Sequence, residues 1–179
     1  MSTFALPQKF QNWINKRNWG LHTHQIDVLT NSDRKSQLLI APTGSGKTLS
    51  GFLPTLIELD RVNFSGLHTV YVSPLKALAA DIKRNLMIPI EEMGLNIKVE
   101  DRTGDTTAKT KRRQRIDPPQ ILLTTPESLA LLISFPEANA LFANLERIII
   151  DEIHALVENK RGHQLLLAIS RLQSISKNL

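Results

Sequence analysis

Residues 41–48, APTGSGKT, join an apolar run to a helix-period stretch through small side chains and end on Lys47-Thr48. Small residues let the chain curl until successive backbone N–H groups face one concavity, and the positive end of the following helix reinforces it. That combination is a cradle for phosphate oxygens. Thr43, Gly44, Ser45 and Gly46 supply the turn, Lys47 reaches the β- and γ-phosphates, and Thr48 offers a hydroxyl to Mg²⁺. The strict pattern opens on glycine, whereas this one opens on Ala41 and leaves the turn to residues 43–46. The expected anion is a nucleoside triphosphate.

A second group suits the same chemistry. In RIIIDEIH an apolar strand presents Asp151 at its exit, where a carboxylate can hold Mg²⁺ through water, and Glu152 stands beside it to orient or deprotonate an attacking water. Alone, two acids after a strand also describe a solvated strand end. Behind a phosphate loop they describe a hydrolytic pair. His154 suits either a coupling contact or a plain loop histidine.

The elements that must position these groups follow from periodicity. Short runs rich in β-branched residues predict strands at Gln37–Ala41, Thr69–Ser73, Ile97–Glu100, Gln120–Thr124 and Arg147–Asp151. Between them Leu75, Leu78, Ala79, Ile82 and Leu86 recur at helical spacing, as do Leu165, Ala168, Ile169 and Leu172 later. Strands alternating with helices predict an α/β fold with a mainly parallel sheet covered by helices on both faces. Ligands of such sheets bind at the carboxyl ends of the strands. The chemical residues fall there: the strands lead into the loop at Gly44, Ser73-Pro74, Thr125-Pro126 and Asp151-Glu152.

Composition narrows the classes. The 179 residues suffice for one sizeable core, and 41% hydrophobic with 22% charged residues is ordinary for a globular chain. No apolar run approaches a membrane span, and the amino terminus lacks a basic stretch followed by an apolar block. Cysteine is absent, which excludes disulfides and thiolate metal sites and suits a reducing cytosol. Lysine and arginine outnumber the acids by 22 to 17, a mild pointer to a polyanionic partner, with the densest cluster, KTKRRQR, at 109–115. That cluster reads equally as a solvated helix face or as the rim of a nucleic-acid surface.

APTGSGKT and DEIH together make the chain resemble the first RecA-like domain of superfamily 2 helicases. SPLKALAADIKRNL, RTGDT, PPQILLTTPESLALL and DEIHALVENKRG are similar to the large helicase-related (Lhr) family, above all to its bacterial ligase-associated DEXH-box branch. The resemblance covers nearly the whole chain. It implies an ATP- and Mg²⁺-dependent 3′-to-5′ translocase on single-stranded DNA, with a DNA-repair role beside a DNA ligase and an exonuclease. A bacterial cytoplasmic, nucleoid-associated location is the corresponding expectation. RNA or an RNA–DNA hybrid stays open as substrate, because backbone contacts separate them poorly.

Residue by residue, the resemblance implies that Gln25 reads adenine, its amide donating and accepting at once. Trp19 fits either stacking near the base or a core position. His22 and His24 fit a turn. Ser73, Pro74 and Lys76 match one strand-contacting motif and Thr125, Pro126, Glu127 and Ser128 another, with Arg102, Thr103 and Gly104 between. Loop and helix-start contacts to phosphate bind without reading sequence, although Pro74 and Ser128 also fit simple helix caps. His154 matches the coupling position, and Lys160-Arg161-Gly162 fits the family pattern without an assigned chemistry.

The family continues with a strand ending in Ser-Ala-Thr, then a second RecA-like domain and later domains, none of which is found here. The expectation is therefore one RecA-like ATP-binding domain over 1–179, incomplete at its carboxyl end. Either the loop strand and the Asp151 strand close up, or the sheet keeps unpaired edges and the isolated chain is poorly stable. A non-catalytic ATP- and DNA-binding fragment is the alternative for the chain alone. An unrelated P-loop enzyme, such as a transporter ATPase or small-molecule kinase, fits the paired acids and proline-led loops less well.

Overall fold

The structure is a computed structural model that describes residues 5–32, 34–42 and 44–179. The chain divides into two compact units: residues up to Asn63 with Leu86–Asn96, and Phe64–Asn85 with Ile97–Leu179. In the first, α1 (Gln8–Lys16) buries Phe10, Trp13 and Ile14, which share one face at helical spacing. The helix α2 (Thr23–Thr30) packs on α3 (Lys47–Arg61). Burial of Phe52, Leu53, Leu56 and Ile57 makes α3 the centre of this unit.

The second unit alternates strand and helix. β1 (Thr69–Val72) precedes α4 (Lys76–Glu92), whose residues from Leu86 onward belong to the first unit. Then follow β2 (Val99–Arg102), α5 (Ala108–Ile116), β3 (Ile121–Thr124), α6 (Pro126–Ile133), α7 (Ala138–Leu141), β4 (Arg147–Ile150), a 3₁₀ turn at Ile153–Ala155 and α8 (Lys160–Ile175). The four strands form one parallel sheet in the order β2-β3-β1-β4. Every residue of β1 and β3 is buried, as central parallel strands require. Val70, Val72 and Leu122 point to one face, into a core with Leu129, Leu132, Phe142, Leu165, Ala168 and Leu172 from α6, α8 and the α7 region.

Two strand expectations need correction. Residues 37–42 form no strand: Leu38 is 73% and Ile40 85% exposed, and no ladder includes them. An apolar, β-branched run has the propensity for a strand, but a strand is a pairing, and this run has no neighbour to pair with. Within the sheet, β4 pairs with β1 alone. The strand expected at Ile97–Glu100 lies at Val99–Arg102, because its ladder with β3 sets Val99 opposite Ile121 and Arg102 opposite Thr124.

One contact in the second unit tolerates no side chain. A Cβ on Gly162 would stand 1.9 Å from the carbonyl oxygen of Leu156, so the first turn of α8 lies directly on the preceding loop backbone. Gly162→Ala is expected to lower unfolding free energy by about 1–3 kcal/mol or more, whereas Gly20→Ala, with nothing within 4 Å, should change it by under about 0.5 kcal/mol. Urea denaturation of both variants checks the difference.

Candidate nucleotide and nucleic-acid site

The glycine-bearing loop before Lys47 ends where α3 begins. Gly44 and Gly46 have φ of 80° and 78°, the left-handed region that glycine enters without strain, and Gly46 is the residue before the helix. Thr43 lies outside the described residues. Ser45 Oγ donates to the Pro42 carbonyl at 2.7 Å and tightens the turn. Lys47 Nζ donates to the Ala41 and Pro42 carbonyls, each at 2.9 Å, so its charge is held over the loop. Thr48 follows in the first turn of α3.

Gln25 lies against this loop. It is buried, its side-chain oxygen accepts from the His22 N–H at 2.9 Å, and its amide nitrogen donates to the Gly46 carbonyl at 3.4 Å. A Cβ on Gly46 would meet that nitrogen at 2.8 Å. Glycine at 46 thus answers two constraints, the left-handed turn and the close glutamine. His22 and His24 stack with ring centroids 5.4 Å apart at the start of α2. Trp19 is half exposed and meets Trp13 edge-on at 5.6 Å, while the Arg17 guanidinium sits 4.9 Å from the Trp19 ring centre and donates to Glu92. One side of that ring therefore already carries a cation.

In the second unit β4 delivers the acids. The Asp151 N–H extends the ladder to the Val72 carbonyl at 3.0 Å. Its Oδ1 accepts from the Glu152 N–H at 2.9 Å and its Oδ2 from the Tyr71 hydroxyl at 2.5 Å. Glu152 has φ 47°, a left-handed value that a non-glycine residue adopts only when its surroundings hold it there. That turn throws the chain from β4 into the 3₁₀ segment, where His154 Nε2 approaches Glu152 Oε2 at 3.4 Å. Burial first, and then the bond to Asp151, pushes the Tyr71 phenol far above its ordinary value, so it remains a neutral donor.

The residues present fit a magnesium ion held mainly by water and phosphate. Asp151 is oriented by two donors yet keeps lone pairs for a metal or its waters. Among the described residues no group of three or more His, Asp or Glu side chains could enclose an ion unaided. Mg²⁺ in nucleotide sites keeps several waters and takes few protein ligands, which this donor set matches.

Three further loops leave the same sheet edge. Ser73 is buried, and its Oγ donates to the Leu75 carbonyl at 3.2 Å. Thr125 is the N-cap of α6, its hydroxyl oxygen accepting from the Ser128 N–H at 3.4 Å, with Pro126 in the first turn. Thr103 and Thr106 close the 103–106 turn, the Thr103 N–H donating to Thr106 Oγ1 at 3.0 Å. Lys76 Nζ pairs with Asp105 Oδ2 at 2.7 Å, and Lys111 Nζ donates to the Gly104 carbonyl at 3.1 Å.

Two expected strand contacts are occupied differently. Arg102 is 2% exposed, and its Nη1 donates to the Lys111 carbonyl at 2.8 Å and Gln114 Oε1 at 3.3 Å. As the last residue of β2 rather than a loop residue, its side chain is enclosed under α5. The Glu127 carboxylate is taken by the Arg161 guanidinium. The 109–115 cluster also divides. Arg113 bonds Glu100 at 2.5 Å, Gln114 bonds Glu100 at 2.9 Å, and Arg115 lies 4.0 Å over the Phe135 ring. Among the described residues the Lys111 side chain bonds only the Gly104 carbonyl, and no hydrogen bond, ion pair or ring contact is made by the side chains of Lys109 and Arg112.

Sequence reasoning passes over Tyr71, which looks like any core residue of a buried strand until β4 is placed beside β1. It reaches Arg161 without a chemistry, since its partners at 74 and 127 are distant in the chain. Tyr71 is the single tyrosine, and its raised phenol pKa means that the unfolded chain releases that proton first. Stability is then full below about pH 10 and falls above it by up to about 1.4 kcal/mol per pH unit. Tyrosinate absorbance is expected to rise only with loss of helical circular dichroism, and Tyr71→Phe should lessen the alkaline loss.

Comparison with known proteins places this geometry among relatives. The family model described as DEAD/DEAH box helicase matches residues 22–178. The ATP-dependent helicase Lhr-Core protein 2 of Thermococcus barophilus is 43% identical over 154 residues, 78% of this chain and 18% of that protein. The Lhr helicase/uracil glycosylase of Escherichia coli is 40% identical over 157 residues, 77% of this chain and 10% of that protein. The chain thus spans under a fifth of the length of these relatives. Among solved structures, Mycobacterium smegmatis helicase Lhr bound to ssDNA and AMP-PNP superposes with a TM-score of 0.86 at 36% identity, covering 96% of this chain and 23% of that one.

Proposed function

The chain belongs to the DEAD/DEAH box helicase family, and from that premise we propose that it is the ATP-binding and hydrolysing module of a single-stranded DNA translocase of the Lhr type. The observation that carries this reading is the alignment of strand ends. Val72, Arg102, Thr124 and Ile150 stand in one register row, so Ser73, Thr103, Thr125 and Asp151 leave a single sheet edge together. Hydrolytic acid and candidate strand loops share one rigid border.

In this reading Lys47 exchanges its loop carbonyls for phosphate oxygens, and the loop N–H groups and the start of α3 bind the rest. Thr48 and Asp151 would hold Mg²⁺, which supplies charge neutralisation on the phosphates. Tyr71 and the Glu152 N–H keep the Asp151 carboxylate turned one way. Glu152 accepts a proton from the attacking water, and His154, within reach of its carboxylate, reports that event to a further domain. Gln25 reads the adenine edge, its amide exchanging the His22 N–H and the Gly46 carbonyl for the base.

Phosphate-directed contacts then come from the backbone and hydroxyls of Ser73, Pro74, Thr103, Gly104, Thr125, Pro126 and Ser128, with Lys76 adding charge. The ssDNA named with the M. smegmatis relative supports a DNA strand. The resemblance supports 3′-to-5′ movement, repair work beside a ligase and an exonuclease, and a nucleoid location. No described helix is long and apolar enough to cross a membrane. The unpaired run before the loop supports a second reading for the chain alone, binding without turnover.

Glu152→Gln in the full-length protein is expected to lower DNA-stimulated hydrolysis by roughly 10²–10⁴ while nucleotide still binds. A steady-state phosphate-release assay with DNA and RNA strands in parallel decides it. Retained turnover would remove Glu152 from the chemistry, and equal stimulation by RNA would widen the substrate.

A further inference from the structure

We propose that Arg161 is a positioning residue that ties both proline-led loops to the turn carrying Asp151 and Glu152, so that strand occupancy and hydrolysis respond to one another. This rests on the strand-dependent hydrolysis proposed above and deepens it.

The guanidinium donates through Nε and Nη2 to both oxygens of Glu127, and Nη2 also donates to the Pro74 carbonyl at 2.5 Å. Glu127 lies in the first turn of α6, behind Thr125 and Pro126, and Pro74 precedes α4. One side chain therefore bonds to each of the two loops expected to meet phosphate. The Arg161 bond holds the Glu127 carboxyl below its usual range, and Glu127 in turn raises Arg161.

The other side of Arg161 leads back to the acids through the backbone. Asn159 Oδ1 accepts from the Arg161 and Gly162 N–H groups at 3.0 and 3.1 Å, and its Nδ2 donates to the Ala155 carbonyl at 2.7 Å. The Ala155 N–H donates to the Glu152 carbonyl at 2.8 Å. Gly162 lets this turn lie on the Leu156 carbonyl, leaving no slack. A continuous set of hydrogen bonds thus runs from Glu152 through Ala155, Asn159 and Arg161 to Glu127 and Pro74.

Stability does not account for an arginine here. A cation in the first turn of a helix opposes the helix dipole, and a half-exposed ion pair contributes little to folding. What arginine alone offers is a planar fork that serves both carboxylate oxygens and a carbonyl together; lysine offers a single point charge.

The test uses the full-length protein, with strand-stimulated ATP hydrolysis, the strand concentration giving half stimulation, KM for ATP and thermal melting as readouts. Arg161→Ala is expected to lower stimulated kcat about tenfold, a loss of about 1.4 kcal/mol in transition-state stabilisation, with KM for ATP within about twofold. Arg161→Lys should not restore it. Glu127→Gln, which keeps the side-chain shape, should give a similar loss, and the double variant should be no worse than either single one. Full stimulation in Arg161→Ala, rescue by lysine, or losses that multiply would overturn the proposal. So would a fall in melting temperature accompanied by equal loss with and without strand. If the unsubstituted protein shows no stimulation, the functional reading itself fails and takes this one with it, a result visible without any variant.

Discussion

The site depends on the register of one parallel sheet. In a parallel ladder every strand runs the same way, so all carboxyl ends lie on one border, and the pairing here sets them level. A shift of one residue in any strand would move its exit loop by about 3.3 Å and reverse its side chains. The core enforces the register: Val70, Val72 and Leu122 reach the α6 and α8 side only in this pairing. Packing far from the border thus fixes where Asp151 and the loops emerge.

Along that border, charge joins one loop to the next. Lys76 reaches Asp105, Lys111 reaches Gly104, and Arg161 reaches Glu127 and Pro74. Each exposed pair adds little to stability, yet together they tie neighbouring loops to one another. Much of the basic cluster in α5 serves the fold in the same way. Arg113 and Gln114 hold Glu100, whose carboxyl burial raises and these two bonds lower, the lowering prevailing.

Much of this was legible in the chain. The small-residue loop before Lys47 and Thr48, the acids after RIII and the prolines after Ser73 and Thr125 are local features, and local features survive reading in one dimension. What escaped depends on partners. Residues 37–41 have strand composition but no neighbour. Arg102 carries a charge that suggests solvent, yet the ladder closes it under α5. Tyr71 and Arg161 acquire meaning only when β4 lies beside β1 and α8 lies over the proline loops, and nothing in their own segments announces those contacts.

In the proposed function Lys47 holds the nucleotide phosphates and the loops at the strand ends sense DNA. Calorimetric titration of Mg-ATP into this chain and into Lys47→Ala, each with and without single-stranded DNA, tests it most directly. Binding that disappears with Lys47 and tightens when the strand is present is the expected result. Equal binding by both proteins, or none by either, would contradict it.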